Sequence, residues 1–260
     1  REKGRASNGK WKEMEGPQNE GVMCKSGVAM ADPPVLYLTR LWVSLKLKTA
    51  VTYRESILGW GIAKMKILVI VASAQVGGNT DCLADAFLKG ACEAGHETVK
   101  IHLGQTKIAP CLGCGVCTEK GACVQKDGMA VLAKEFLECD TVVFATPLYF
   151  WGVSAQMKAV IDRMYALGKP NRSGYFQYPR KCAALLVTAA DSSNHFWTFE
   201  EVEHYYRRLV GYLHWTDLGI LTAGNCGGTK EKRRIADTEH LERGYRFGKS
   251  IGEREVFDMP

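Results

Sequence analysis

Four cysteines crowd into thirteen residues of this 260-residue chain, spaced Cys111-x2-Cys114-x2-Cys117-x5-Cys123 within KIAPCLGCGVCTEKGACVQKDGM. Three thiols at successive x2 spacing can converge on one centre, and the fourth returns after a short turn. Gly113, Gly115 and Gly121 permit the tight backbone wrap this needs. Such a run suits a [4Fe–4S] cluster better than zinc, whose four-cysteine sites usually come as two separated CxxC pairs. The segment also makes sense as a zinc site, as a redox-active or structural thiol loop, or as an internal disulfide. Cys24, Cys82, Cys92, Cys139, Cys182 and Cys226 are scattered and read as small apolar residues.

Two further segments carry unusual chemistry. Residues 73–80 read Ser73-Ala74-Gln75-Val76-Gly77-Gly78-Asn79-Thr80 directly after an apolar run and before a helical pattern. A helix start has unpaired N–H groups and a partial positive charge. Hydroxyl and amide side chains add donors, and glycines such as Gly78 let the backbone come close, which makes a phosphate cradle without lysine. The loop is neither GxGxxG nor a Walker loop, so a monophosphate fits it better than a dinucleotide or triphosphate. An ordinary turn capped by Asn79 or Thr80 is the alternative. Residues 146–152 read Thr146-Pro147-Leu148-Tyr149-Phe150-Trp151-Gly152 at the end of a second apolar run. Three consecutive aromatics there suit a flat ring held by stacking and apolar burial. Pro147 stiffens the turn. A hydrophobic plug or a dimer contact is the alternative. Taken together, the two loops fit a flavin mononucleotide, FMN.

Elements must deliver these loops to one place. Residues 67–72 (ILVIVA), 141–146 (TVVFAT) and 183–189 (AALLVTA) are continuous apolar runs, as in strands covered on both faces. Residues 97–103 alternate, with Val99, Ile101 and Leu103 apolar and Lys100 and His102 polar, which predicts an edge strand with one half-wet face. Residues 218–223 give a fifth strand. Helical spacing covers 80–94, 128–139, 154–167 (with Ser154 as N-cap) and 198–213, and weakly the stretch from Ile235 to Ile251. Strands alternating with helices predict an α/β fold, a flavodoxin-like three-layer sandwich with a five-stranded parallel sheet of order 2-1-3-4-5. Ligands of such sheets sit beyond the carboxyl ends of strands 1 and 3, where both loops belong.

From Met65 to about Gly252 the chain resembles the NADPH-dependent FMN reductase family of flavodoxin-like proteins. The resemblance rests on SAQVGGNT, TPLYFWG and VSAQMKAVIDR. It implies that Ser73, Gln75, Asn79 and Thr80 hold the phosphate. It implies that Pro147, Leu148, Tyr149, Phe150 and Gly152 hold the ring and ribityl chain, and that the loop from Thr188 and Ala189 to Asp191 touches the ring. Many members have Arg where Gln75 stands, so phosphate attraction should be weaker here. The cysteine pattern and its position are similar to the iron–sulfur flavoproteins of this family, with Cys111, Cys114, Cys117 and Cys123 as cluster ligands. That likeness implies electrons passing between a [4Fe–4S] cluster and FMN, across a subunit interface.

The expected activity is therefore an FMN-dependent oxidoreductase taking electrons from NAD(P)H or ferredoxin and passing them to a small-molecule acceptor. A non-enzymatic flavin and thiol electron carrier or redox sensor is the second reading, and an interaction module with structural zinc the third. A homodimer or homotetramer is expected, because one subunit supplies too little loop to cover the ring. Composition excludes other classes. The formal net charge is +6, but residues 1–64 hold 11 Lys/Arg against 6 Asp/Glu, and residues 65–260 hold 23 against 22. The main domain thus gives no case for nucleic acid. No stretch approaches the roughly 20 apolar residues of a membrane span. The thiol usage predicts a reducing, cytoplasmic setting, and no secretory signal is legible.

Residues 1–32 are too polar to bury a core, and 35–47 (VLYLTRLWVSLKL) lack an evident partner. Residues 1–64 are expected to be a poorly ordered extension outside the native protein, or else an amphipathic targeting or docking arm; 65–260 form the FMN-binding domain. The six histidines show no ligand spacing, although His195 follows the fourth strand. Asp162-Arg163 suits an ion pair or cap, and Lys230 to Arg234 a solvated basic face or a nicotinamide phosphate contact.

Overall fold

The apolar run after Met65 leaves no polar position for water, so it must lie inside a sheet. In the computed structural model it is strand β1 (Lys66–Val71), with Ile67 to Ala72 fully buried. The structure describes residues 64–170, 176–191, 197–227 and 234–252. Residues 1–63, including the apolar piece 35–47, His195 and the basic run 230–233 lie outside the described residues.

After β1 come α1 (Asn79–Glu93), β2 (Glu97–His102), a short α2 (Val116–Lys120), α3 (Met129–Glu138), β3 (Thr141–Pro147) and α4 (Ala155–Arg163). A 3-10 turn (Met164–Leu167) and two-residue strands β4 (Lys169–Pro170) and β5 (Phe176–Gln177) follow. Strand β6 (Cys182–Thr188), α5 (Glu200–Leu213), β7 (Thr216–Ala223), a 3-10 turn (Arg234–Asp237) and α6 (His240–Lys249) complete the order. The main sheet runs β2-β1-β3-β6-β7, parallel throughout. This is the expected 2-1-3-4-5 order. Neither α2 nor the β4–β5 hairpin was foreseen from the sequence, because both are too short to carry a period.

Alternate residues of β1 point to opposite faces. Leu68 and Ile70 join Leu132, Phe136, Met157, Val160, Val202, Tyr206 and Val210 from α3, α4 and α5. Ile67, Val69 and Val71 join Leu83, Phe87 and Ala91 of α1, with Ile235 and Ile251. The sheet is thus the middle layer of three. Ser154 caps α4 as expected, accepting from Met157 N at 3.2 Å. The expected wet face of β2 is instead covered: His102 is buried, and Lys100 pairs with Asp81 of α1 at 2.5 Å. None of the helices among the described residues is long and apolar enough to cross a membrane.

Helices α1 and α6 meet backbone to backbone. A Cβ on Gly248 would lie 1.9 Å from Phe87 O, and one on Gly90 would lie 2.0 Å from Tyr245 O. Neither carbonyl can retreat without parting the helices. Gly211 in α5 has nothing within 4 Å of its Cβ position. Gly248→Ala should therefore destabilise the fold by about 2 kcal/mol through overpacking. Gly211→Ala should stabilise it by about 0.5 kcal/mol through helix propensity. Urea unfolding of both variants, read by far-UV circular dichroism, checks the contrast; equal midpoints would refute it.

Candidate functional site

Strands β1 and β3 are parallel neighbours with Val71 opposite Ala145. The loops that follow them therefore leave the same edge of the sheet side by side. Three hydrogen bonds fasten them there. Ser154 Oγ donates to Ala72 O at 2.7 Å, Leu148 N donates to Thr188 O at 2.8 Å, and the Thr80 and Thr188 hydroxyls share a bond of 2.7 Å. Thr188 thus holds α1 through its side chain and the aromatic loop through its carbonyl.

The first loop folds back on itself. Ser73 Oγ accepts from Gln75 N at 3.1 Å, and Gly78 N donates to Gln75 O at 3.1 Å. Gly78 is the N-cap of α1, and it has no side chain to occupy the first N–H groups. These groups stay free for an anion. Asn79 Nδ2 donates to Cys226 O, while its Oδ1 is shut off from water without a partner. Gln75 is exposed, and it brings no charge.

Behind the cradle lies a polar cluster that the sequence did not reveal. Asp81 Oδ2 accepts from Gly77 N at 2.5 Å and lies 3.7 Å from His102 Nε2. Lys100 Nζ lies 2.5 Å from both Asp81 and Asp85. Burial works against the Lys100 charge, but the two carboxylates outweigh it and hold the pKa up. Burial pushes His102 down, so its imidazole is the neutral form near neutral pH. The one signal in the sequence was an aspartate in the first turn of α1, which reads equally well as a dipole partner.

The second loop is strained and open. Tyr149 and Gly152 exchange both backbone hydrogen bonds at 3.0 Å. The two residues between them, Phe150 and Trp151, have φ of 48° and 60°. Asn and Gly are the residues that favour such a turn, and bulky side chains there cost roughly 1–2 kcal/mol each. Phe150 is 96% exposed, Tyr149 55% and Trp151 52%. Strain and exposed aromatic surface together mark a place kept for a ligand or partner. Pro147 and Leu148 sit half-buried beneath. Ala189 is buried, and its N–H and carbonyl are already bonded to Ala223 O and Cys226 N.

The cysteine segment lies between β2 and α3. Helix α2 within it is bracketed by Gly115 and Gly121, at φ of 70° and 68°. Cys111, Cys114, Cys117 and Cys123 are free thiols, and all four line one depression with Asp162, Arg163 and Tyr165. Among the described residues no group of three or more His, Cys, Asp or Glu side chains is gathered for a single metal ion. Burial opposes the Cys123 thiolate, but the Gln125 N–H and the Arg163 guanidinium outweigh it and lower the pKa. Cys139 and Cys226 differ: burial pushes both up to about 11. Those two are inert core thiols, as expected.

The comparisons with known proteins agree with this geometry. The family model for NADPH-dependent FMN reductase matches residues 65–217. An iron-sulfur flavoprotein of Archaeoglobus fulgidus is 42% identical over 190 residues, covering 73% of this chain and 80% of that protein. An iron-sulfur flavoprotein of Methanocaldococcus jannaschii is 32% identical over 190 residues, covering 73% of this chain and 95% of that one. A solved NAD(P)H:quinone oxidoreductase from Methanothermobacter marburgensis shares the fold, with a TM-score of 0.59 over 74% of this chain and 99% of its own, at 16% identity. The chain belongs to the NADPH-dependent FMN reductase family and is an NAD(P)H-dependent FMN oxidoreductase.

Proposed function

We propose that the chain holds FMN across the β1 and β3 loops and passes electrons from NAD(P)H, or from a ferredoxin, to a quinone, a free flavin or another small acceptor. Cys111, Cys114, Cys117 and Cys123 hold a [4Fe–4S] cluster in this reading. The observation that carries it is the adjacency of the two loops on one sheet edge. The free N–H groups at the start of α1 receive the phosphate, with Ser73, Gln75, Gly78, Asn79 and Thr80 around it. Pro147, Leu148, Tyr149, Phe150 and Gly152 carry the ring and ribityl chain, beside Thr188 and Ala189. When bound, FMN supplies the redox chemistry, taking up electrons from the donor and releasing them to the acceptor. The protein binds, orients and excludes water.

The donor set supports the cluster assignment. Four thiols line one shared depression, and their close x2 spacing suits a polynuclear centre better than zinc. The names of the two similar proteins point the same way. Exposure of the Phe150 face supports a homodimer or homotetramer in which a second copy covers the ring. A cytoplasmic setting is part of this reading, and thiol usage supports it.

Three outcomes test this reading. Protein purified without oxygen should be coloured and bind FMN, oxidise NAD(P)H with a quinone, and contain iron and acid-labile sulfide. Colourless protein that ignores added FMN would end the proposal, and zinc without iron would remove the cluster. Phe150→Asn should weaken FMN binding about tenfold by removing a stacking face. The same change should leave apo stability equal or raise it by about 0.5 kcal/mol, because Asn tolerates the left-handed backbone. Flavin fluorescence titration and urea unfolding read the two effects. Gln75→Arg should tighten FMN about fivefold at low salt, and less at high salt, by adding a cation at an exposed position. An affinity that does not depend on this change would place the phosphate elsewhere.

A further inference from the structure

Arg163 closes α4 with its side chain 1% exposed. A buried guanidinium is unfavourable unless its N–H groups find partners. Nη1 donates to Asp127 Oδ2 at 2.5 Å and to Ala109 O at 3.2 Å. Nη2 donates to Cys123 Sγ at 3.4 Å and to Gln125 O at 3.5 Å. Every one of these partners belongs to the cysteine segment. Ala109 opens it, Cys123 is its fourth thiol, and Gln125 and Asp127 close it.

The base is cross-tied as well. Asp127 Oδ2 accepts from Ala109 N at 2.9 Å, and Gln125 Nε2 donates to Pro110 O at 3.1 Å. Above this base little else anchors the loop. Helix α2 buries no residue, and Leu112 and Val124 are 68% and 44% exposed. Core packing therefore does not fix where the thiols stand.

We propose that Arg163 is the positioning residue of the four-cysteine centre: it clamps both ends of loop 109–127 to α4 and fixes Cys123 at the depression that the other three thiols line. This deepens the cluster reading above and rests on it. The planar fork is what allows one side chain to reach two carbonyls, a carboxylate and a sulfur. Lysine keeps the charge opposite Asp127 but not the fork. An N–H···S bond also tunes the potential of a cluster bound there.

The test compares the full-length wild type, Arg163→Gln and Arg163→Lys, each with bound FMN. Iron and sulfide are counted after anaerobic reconstitution with ferrous iron and sulfide, and FMN is counted in the same samples. Trypsin cleavage at Lys120 and Lys126 is timed on the metal-free proteins. The wild type should hold about four irons per chain. Both variants should keep FMN, lose most of the iron, and be cut about tenfold faster in the loop. Any cluster that does form in the Lys variant should show a shifted midpoint potential. If Arg163→Gln does not fold, as loss of FMN would reveal, Arg163→Lys alone decides, since it retains the pair with Asp127. Variants that load iron, hold its potential and resist trypsin like the wild type would overturn the proposal. A wild type without iron would instead sink the cluster reading, and the cleavage rates would still decide whether Arg163 holds the loop.

Discussion

Parallel pairing of β1 with β3 is the constraint from which the site follows. It sets Val71 beside Ala145 and carries both loops off one edge of the sheet. Ser154 and Thr188 then bind the loops to each other, through Ala72 O, Leu148 N and the Thr80 hydroxyl. The Ser154 and Thr80 bonds are buried, where an unmade partner is costly. The first loop and the aromatic turn are therefore tied to each other, and fixed placement is what a bound cofactor needs. The strained turn at Phe150 and Trp151 is closed at its base by the paired Tyr149 and Gly152 backbone bonds.

The proposed phosphate cradle has few cations among the described residues. Lys100, behind it, is engaged by Asp81 and Asp85, and Gln75 adds no charge. Asp81 turns its carboxylate to the Gly77 N–H, which shapes the loop and adds negative charge behind it. On the proposed reading, phosphate attraction comes chiefly from backbone N–H groups, whose contribution is local and directional. Such a site depends on loop shape more than on net charge.

The cysteines divide into two physical classes. Cys139 and Cys226 are buried among apolar groups that disfavour the thiolate. The clustered four stand on a loop with almost no packed core, joined to the scaffold at its base by the pair of buried Arg163 with half-buried Asp127. Removing one member of such a pair leaves the other charge stranded. The loop's order is thus tied to the flavin domain through α4, the same helix whose Ser154 cap touches the end of β1.

Much of this was legible in sequence. Apolar runs and helical spacing gave the strand order, because a strand buried on both faces has no polar alternative. The loop compositions and the cysteine spacing suggested the proposed site, since phosphate, a flat ring and a thiolate centre each demand particular residue types. What only the tertiary structure decided are the long-range partnerships. Asp81 with Lys100 and His102 joins a helix to the edge strand it covers, so the expected wet face of β2 is buried. Arg163 with Asp127, and Thr80 with Thr188, join residues 36 and 108 positions apart. No local period or propensity encodes such pairs; they exist because folding brings each polar group to a place where water cannot reach it and another group must serve instead.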